Sequence, residues 1–159
     1  MGSGGQCFPG RRTSTPINMT TPRAAHTSTP LASGKVVLIG GSNETGFLAS
    51  AEIFDPSSDT LTPTTGSMAI ARNFHTATLL NDATVLVAGG SDGQTLALTE
   101  LFDATSETFS GTGSLTARRQ YHTATLLNDG SVLVTGGENR KPLLSPPEIT
   151  ILSSAEIYQ

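Results

Sequence analysis

Apolar positions in this chain fall in short runs of four or five residues, parted by Gly, Asp, Asn, Ser and Pro. Val85-Leu-Val-Ala88 and Val132-Leu-Val-Thr135 are apolar on both faces. Short runs without alternation predict strands sandwiched between neighbouring layers rather than lying half-wet at a surface. Ahead of the first run, His75 to Leu80 is Thr-rich and β-branched and predicts a strand. Ala51 to Phe54 and Thr60 to Thr64 predict two more, joined by a turn at Asp55-Pro56. The tight turns read at Asn81-Asp82-Ala83 and Asn128-Asp129-Gly130, and Asp-Gly suits a two-residue hairpin turn. The predicted unit is a meander of four antiparallel strands.

That unit recurs. Met68-Ala-Ile-Ala-Arg72-Asn-Phe-His75-Thr-Ala-Thr-Leu-Leu80 returns as Leu115-Thr-Ala-Arg-Arg119-Gln-Tyr-His122-Thr-Ala-Thr-Leu-Leu127, and a worn copy runs from Met19 through Arg23 and His26 to Leu31. The histidines stand 49 and 47 positions apart. Each is followed 14 positions later by a glycine pair: Gly40-Gly41, Gly89-Gly90 and Gly136-Gly137. The pairs end a strand where the backbone needs positive φ or close approach. After each pair comes an acidic-apolar-aromatic signature containing Glu52, Glu100 or Glu156. Self-similarity at a period near 50 is the mark of a repeat architecture.

The wording His-Thr-Ala-Thr-Leu-Leu-Asn-Asp-Gly-x-Val-Leu-Val-x-Gly-Gly resembles bacterial kelch repeats, and is similar to the propeller of galactose-oxidase-like proteins. The resemblance covers roughly residues 9 to 159. It implies an all-β fold of kelch-type β-propeller blades, three per chain, in repeats of about 19–67, 68–114 and 115–159 behind a flexible tail at 1–8. A segment around Phe8 to Ser14 reads as a spare outer strand, while the last repeat stops short of its own. Two departures suggest a thinner core. The outer strand lacks tryptophan, with Leu61 and Phe109 nearest that place, and Pro30 stands where the other copies have Leu79 and Leu126.

Propellers close with about four to eight blades, so three leave the count open. Two chains as a homodimer form a six-bladed ring, the chain is a piece of a longer propeller supplying the missing blades, or it is an open stack with exposed edges. All three stand at this point.

Charge narrows the partners. Lys plus Arg number 9, and the formal net charge is −4. That excludes a nucleic-acid binder, which needs a clustered basic face. No apolar run approaches a membrane span, and nothing assigns a compartment. Cys7, the single cysteine, has no partner for an intramolecular disulfide.

Searches for catalytic chemistry, a metal motif and a phosphate-cradling loop all come up empty, so no cofactor is expected. Arg23, Arg72 and Arg119, each three positions before His26, His75 or His122, recur in every copy. So do Glu52, Glu100 and Glu156. Recurrence points to a packing device in each blade, with the glutamates bonding to a neighbouring turn. Function is expected where the copies differ. The loops entering the first strand and leaving the second share one face, which collects Asn73, Phe74, Arg118 and Tyr121. A long third loop from Glu138, stiffened by Pro142, Pro146 and Pro147, adds Arg140 and Lys141. Arg118 has no counterpart in the other copies and is the arginine favoured for ligand contact. The expected function is a non-catalytic binding or scaffold module for a protein or glycan. Two other classes stay open: the platform domain of a larger oxidase-like enzyme, and a structural half-propeller that self-assembles.

Overall fold

The computed structural model describes residues 16–141 and 146–159. The expected tail, the spare strand near residues 8–14, Cys7 and Pro142 lie outside them. Every regular element among the described residues is a strand.

The first sheet runs β1 (Thr27–Pro30), β2 (Val36–Ile39), β5 (Ala51–Asp55) and β6 (Thr60–Pro63), each antiparallel to the next. A small hairpin, β3 (Ser42–Asn43) with β4 (Gly46–Phe47), forms the connection from β2 to β5. The second sheet repeats the order as β7 (Thr76–Leu79), β8 (Thr84–Ala88), β9 (Thr99–Asp103) and β10 (Thr108–Gly111). The third has β11 (Thr123–Leu126), β12 (Val132–Thr135) and β15 (Ala155–Tyr158), and no fourth strand among the described residues. We call the sheets blades 1, 2 and 3.

The unalternating runs are inner strands covered on both sides. Val37 and Ile39 of blade 1, with Ile53, pack against Val85, Val87 and Phe102 of blade 2. Leu86 and Ala88 then pack against Val132 and Val134 of blade 3. One β-strand sends alternate side chains to opposite faces, so β8 serves both cores. Full burial of each such side chain contributes about 1.5–3 kcal/mol. Phe109 occupies the expected outer position and tilts against Phe102, with ring centroids 4.9 Å apart.

Two local expectations are corrected. Asp129-Gly130 does not form a two-residue turn. Leu127 N–H donates to Ser131 O at 2.8 Å and Gly130 N–H to Leu127 O at 3.0 Å, which encloses a three-residue loop with Gly130 at φ 88°. That is a turn closed by a left-handed residue, and Gly34 and Ala83 hold the same place in the other blades. The long third loop is not irregular where it leaves β12. Its flanks pair as a hairpin, β13 (Glu138–Lys141) with β14 (Glu148–Ile151). Pro146 and Pro147 fall before β14, where their missing N–H groups cost no ladder bond.

Candidate functional site

Each blade carries a buried arginine that ties its inner strands together. Arg72 Nη2 lies 2.6 Å from Glu100 Oε1, while Nη1 donates to Gly89 O and Leu98 O. Arg23 pairs with Glu52 at 2.8 Å and Arg119 with Glu156 at 2.6 Å. All three guanidinium side chains have no solvent exposure. A charge so buried is tolerated only when paired and hydrogen-bonded. The glutamates turn their remaining capacity on the segment ahead of the arginine. Glu52 accepts Thr20 and Thr21 N–H, Glu100 accepts Ala69 N–H, and Glu156 accepts Thr116 and Ala117 N–H. Burial pushes the Glu156 carboxyl up, but those hydrogen bonds and Arg119 outweigh it and hold its pKa at about 2.

The histidines join one blade to the next. His75 Nε2 lies 3.0 Å from Thr27 Oγ1, and His122 Nε2 lies 2.9 Å from Thr76 Oγ1. Burial, then the charge of Arg72, drives His75 down to about 3. Burial, then Arg119, drives His122 to about 4. Both are neutral at neutral pH, as a hydroxyl partner in an apolar seam requires. The glycine pairs belong to the same seam. A Cβ on Gly40 would meet Arg72 O at 2.6 Å, and one on Gly89 would meet Arg119 O at 2.5 Å. Gly41 N–H donates to Arg72 O, and Gly90 N–H to Arg119 O.

The opposite class of residue, which differs between blades, gathers at one end. The segment entering each first strand bridges to the hairpin after the second: Ala24 with Ser42, Asn73 with Ser91, Gln120 with Glu138. A cleft of about 210 Å³ opens between these hairpins, with Phe47, Phe74, Tyr121 and Arg140 in its lining. Tyr121 is 57% exposed and lies on Phe74, with centroids 4.2 Å apart. Both hold left-handed backbone, at φ 55° and 54°. Asn73 is buried and donates to Ser42 Oγ, while its Oδ1 has no partner among the described residues.

Of the residues singled out in the sequence, Asn73, Phe74, Tyr121 and Arg140 thus share one cleft. Arg118 does not line it. Its Nη1 donates to Thr95 O of the neighbouring blade at 3.0 Å. Lys141 pairs with Glu148 at 3.1 Å along the hairpin, both well exposed. Phe47 was missed, because a lone aromatic after glycine in the least regular copy carries no repeat signal.

Residues 23–60 match the family model for the kelch motif. This span begins at Arg23 and ends at the start of β6, taking in the arginine, the histidine, the glycine pair and Glu52. The same landmarks sit in the same geometry in blades 2 and 3. The first repeat carries a kelch motif, and blades 2 and 3 repeat its landmarks. The blades are complete with four strands in the first two copies, consistent with that motif, and are not closed into a ring among the described residues. No curated protein matches the chain. Among the described residues no helix is long and apolar enough to cross a membrane.

Proposed function

We propose that this kelch chain is a non-catalytic binding module whose loop-bearing end grips a segment of a protein. The observation that carries the reading is Tyr121, a large aromatic left exposed and stacked on Phe74, where the first blade has only Ala25. Left-handed backbone costs an ordinary residue roughly 1–2 kcal/mol. The conformation recurs at Ala25, so it belongs to the repeat, and what blades 2 and 3 add to it is the aromatic side chain. Tyr and Arg are the residue types on which binding energy concentrates, and Arg140 stands in the same lining.

Size favours a protein segment. Small-molecule sites run roughly 300–1,000 Å³, and this cleft of about 210 Å³ fits one bulky side chain rather than a whole ligand. Glu138 and Arg140 offer both charges at the rim. The buried Asn73 Oδ1 supplies an unused acceptor beneath. The kelch repeat itself suits this role, since it recurs as a rigid platform and varies in its loops.

Panning a displayed random-peptide library on the chain, with Tyr121→Ala as the counter-target, tests the reading. Enriched peptides are expected to bind the variant about tenfold more weakly, a loss of about 1.4 kcal/mol. Peptides indifferent to Tyr121 would overturn it. Tyr121-dependent signals on a glycan array instead would move the ligand to sugars.

A further inference from the structure

Blade 3 presents a complete set of contacts meant for a following blade. Four contacts recur at both seams. The second glycine of the pair donates to the next arginine's carbonyl, at 2.8 Å from Gly41 and 2.9 Å from Gly90. The first-strand threonine meets the next histidine. Phe74 N–H donates to Ala25 O and Tyr121 N–H to Phe74 O, a ladder climbing from blade to blade. Arg72 N–H donates to Leu48 O, and Arg119 N–H to Leu96 O. In blade 3 the corresponding groups are Gly137 N–H, Thr123 Oγ1, Tyr121 O and Leu152 O, and no residue of a following blade meets them among the described residues. A Cβ on Gly136 would find nothing nearer than 3.9 Å. Ile157 is 59% exposed, whereas its counterpart Ile53 is 5% exposed beneath blade 2.

Blade 1 presents the other half. Arg23 N–H, Ala25 N–H and His26 Nε2 have no partner among the described residues, although their counterparts in blades 2 and 3 are all taken. The hairpins repeat this complementarity. Thr95 of blade 2 seats in blade 3, its hydroxyl accepting Arg140 N–H at 2.8 Å and its carbonyl accepting from Arg118. Arg118 and Arg140 correspond to Pro22 and Glu44, and these two line a concavity of about 600 Å³ at the edge of blade 1. On blade 3, the β13–β14 hairpin carries Ile149 and Ile151, 52% and 75% exposed.

We propose that the blade 3 face docks blade 1 of a second copy of this chain, its hairpin filling the concavity between Pro22 and Glu44. The occupant is a second copy because the donors, acceptors and apolar positions required are those blade 1 displays, in the register already used twice within the chain. Made reciprocally, two such seams close a ring of six blades, inside the range that propellers adopt. The contact is heterologous, so only closure keeps it from growing into a filament. This inference stands apart from the peptide reading, and its readout is mass.

Light scattering on the 159-residue chain is expected to give twice 16.4 kDa over a wide concentration range. Ile157→Lys, placed at an exposed position, is expected to give a monomer with unchanged β-sheet circular dichroism. A wild-type monomer, a ladder of larger species, or a dimer that survives Ile157→Lys would each overturn the proposal. A second check uses Thr123→Cys/His26→Cys in a Cys7→Ser background with a short thiol cross-linker. Cross-linked dimer is expected from the double variant alone. Efficient cross-linking of either single variant would mean like faces meeting, and would overturn the head-to-tail seam.

Discussion

Ala83 holds φ 68° at the place where its counterparts are Gly34 and Gly130. The loop geometry is fixed by Ala83 N–H donating to Leu80 O and Leu80 N–H to Thr84 O, so the residue cannot relax without losing both bonds. Ala83→Gly removes the strain, and the gain is reduced by the extra freedom of glycine in the unfolded chain. The expected result is a stabilisation of about 1 kcal/mol, read as a higher urea midpoint with unchanged slope. The buried ion pair at the centre of blade 2 behaves oppositely. Glu100→Gln leaves the fully buried Arg72 charge without its partner and is expected to cost about 3 kcal/mol or more. Lys141→Ala, at an exposed pair, is expected to cost less than about 1 kcal/mol. Both are measured by the same denaturation curves. These roles differ in how far the sequence betrays them. The arginine, histidine and glutamate positions stand out because every blade needs them. The left-handed backbone of Phe74 and Tyr121 does not, since bulky aromatics ordinarily avoid that conformation and nothing local announces it.

At the scale of the strand and the seam, the buried histidines set a pH response. His75 and His122 have folded pKa values of about 3 and about 4, below the ordinary 6.5. The unfolded chain therefore binds protons first as pH falls, and stability drops from about pH 6.5 towards pH 4. At pH 5 the loss is about 2 kcal/mol per histidine at most. Glu156 works lower, because its depressed pKa contributes stability that is lost only as pH falls from 4.5 through about 2. Comparing urea midpoints at pH 7 and pH 5 measures the histidine contribution, and an unchanged midpoint would refute it. Strands themselves were readable because inner runs are apolar on both faces and turns carry Asp, Asn and Gly. The β13–β14 hairpin was hidden by its prolines and by polar residues that pair without burying a face. The contact of Arg118 with Thr95 depends on how two blades approach, which no local pattern encodes.

Across the whole molecule each blade touches only its neighbours, so stability is a sum of blades and seams. Two glycine substitutions separate those terms. Gly89 and Gly136 have φ of 60° and 65°, so alanine suffers similar backbone strain at either. At Gly89 the added methyl also meets Arg119 O at 2.5 Å, while at Gly136 it meets open space among the described residues. Gly89→Ala is expected to be the more damaging within one chain, by about 1–3 kcal/mol. Measured at dilution, the difference between them is the worth of the methyl-sized gap at one seam. If blade 3 docks a second copy, Gly136→Ala loses its advantage as concentration rises and the dimer forms.

The chain contains no tryptophan and two tyrosines. Tyr121 lies in the cleft, and Tyr158 packs at the seam between blades 2 and 3, its hydroxyl bonded to Thr112. Excited at a wavelength that phenylalanine does not absorb, the intrinsic emission of this protein therefore comes from those two places. A peptide entering the cleft should quench or shift one emitter and leave the other as an internal standard, without any label. Phe substitutions at 121 and 158 in turn assign the two signals, which lets occupancy and blade packing be followed separately in one cuvette.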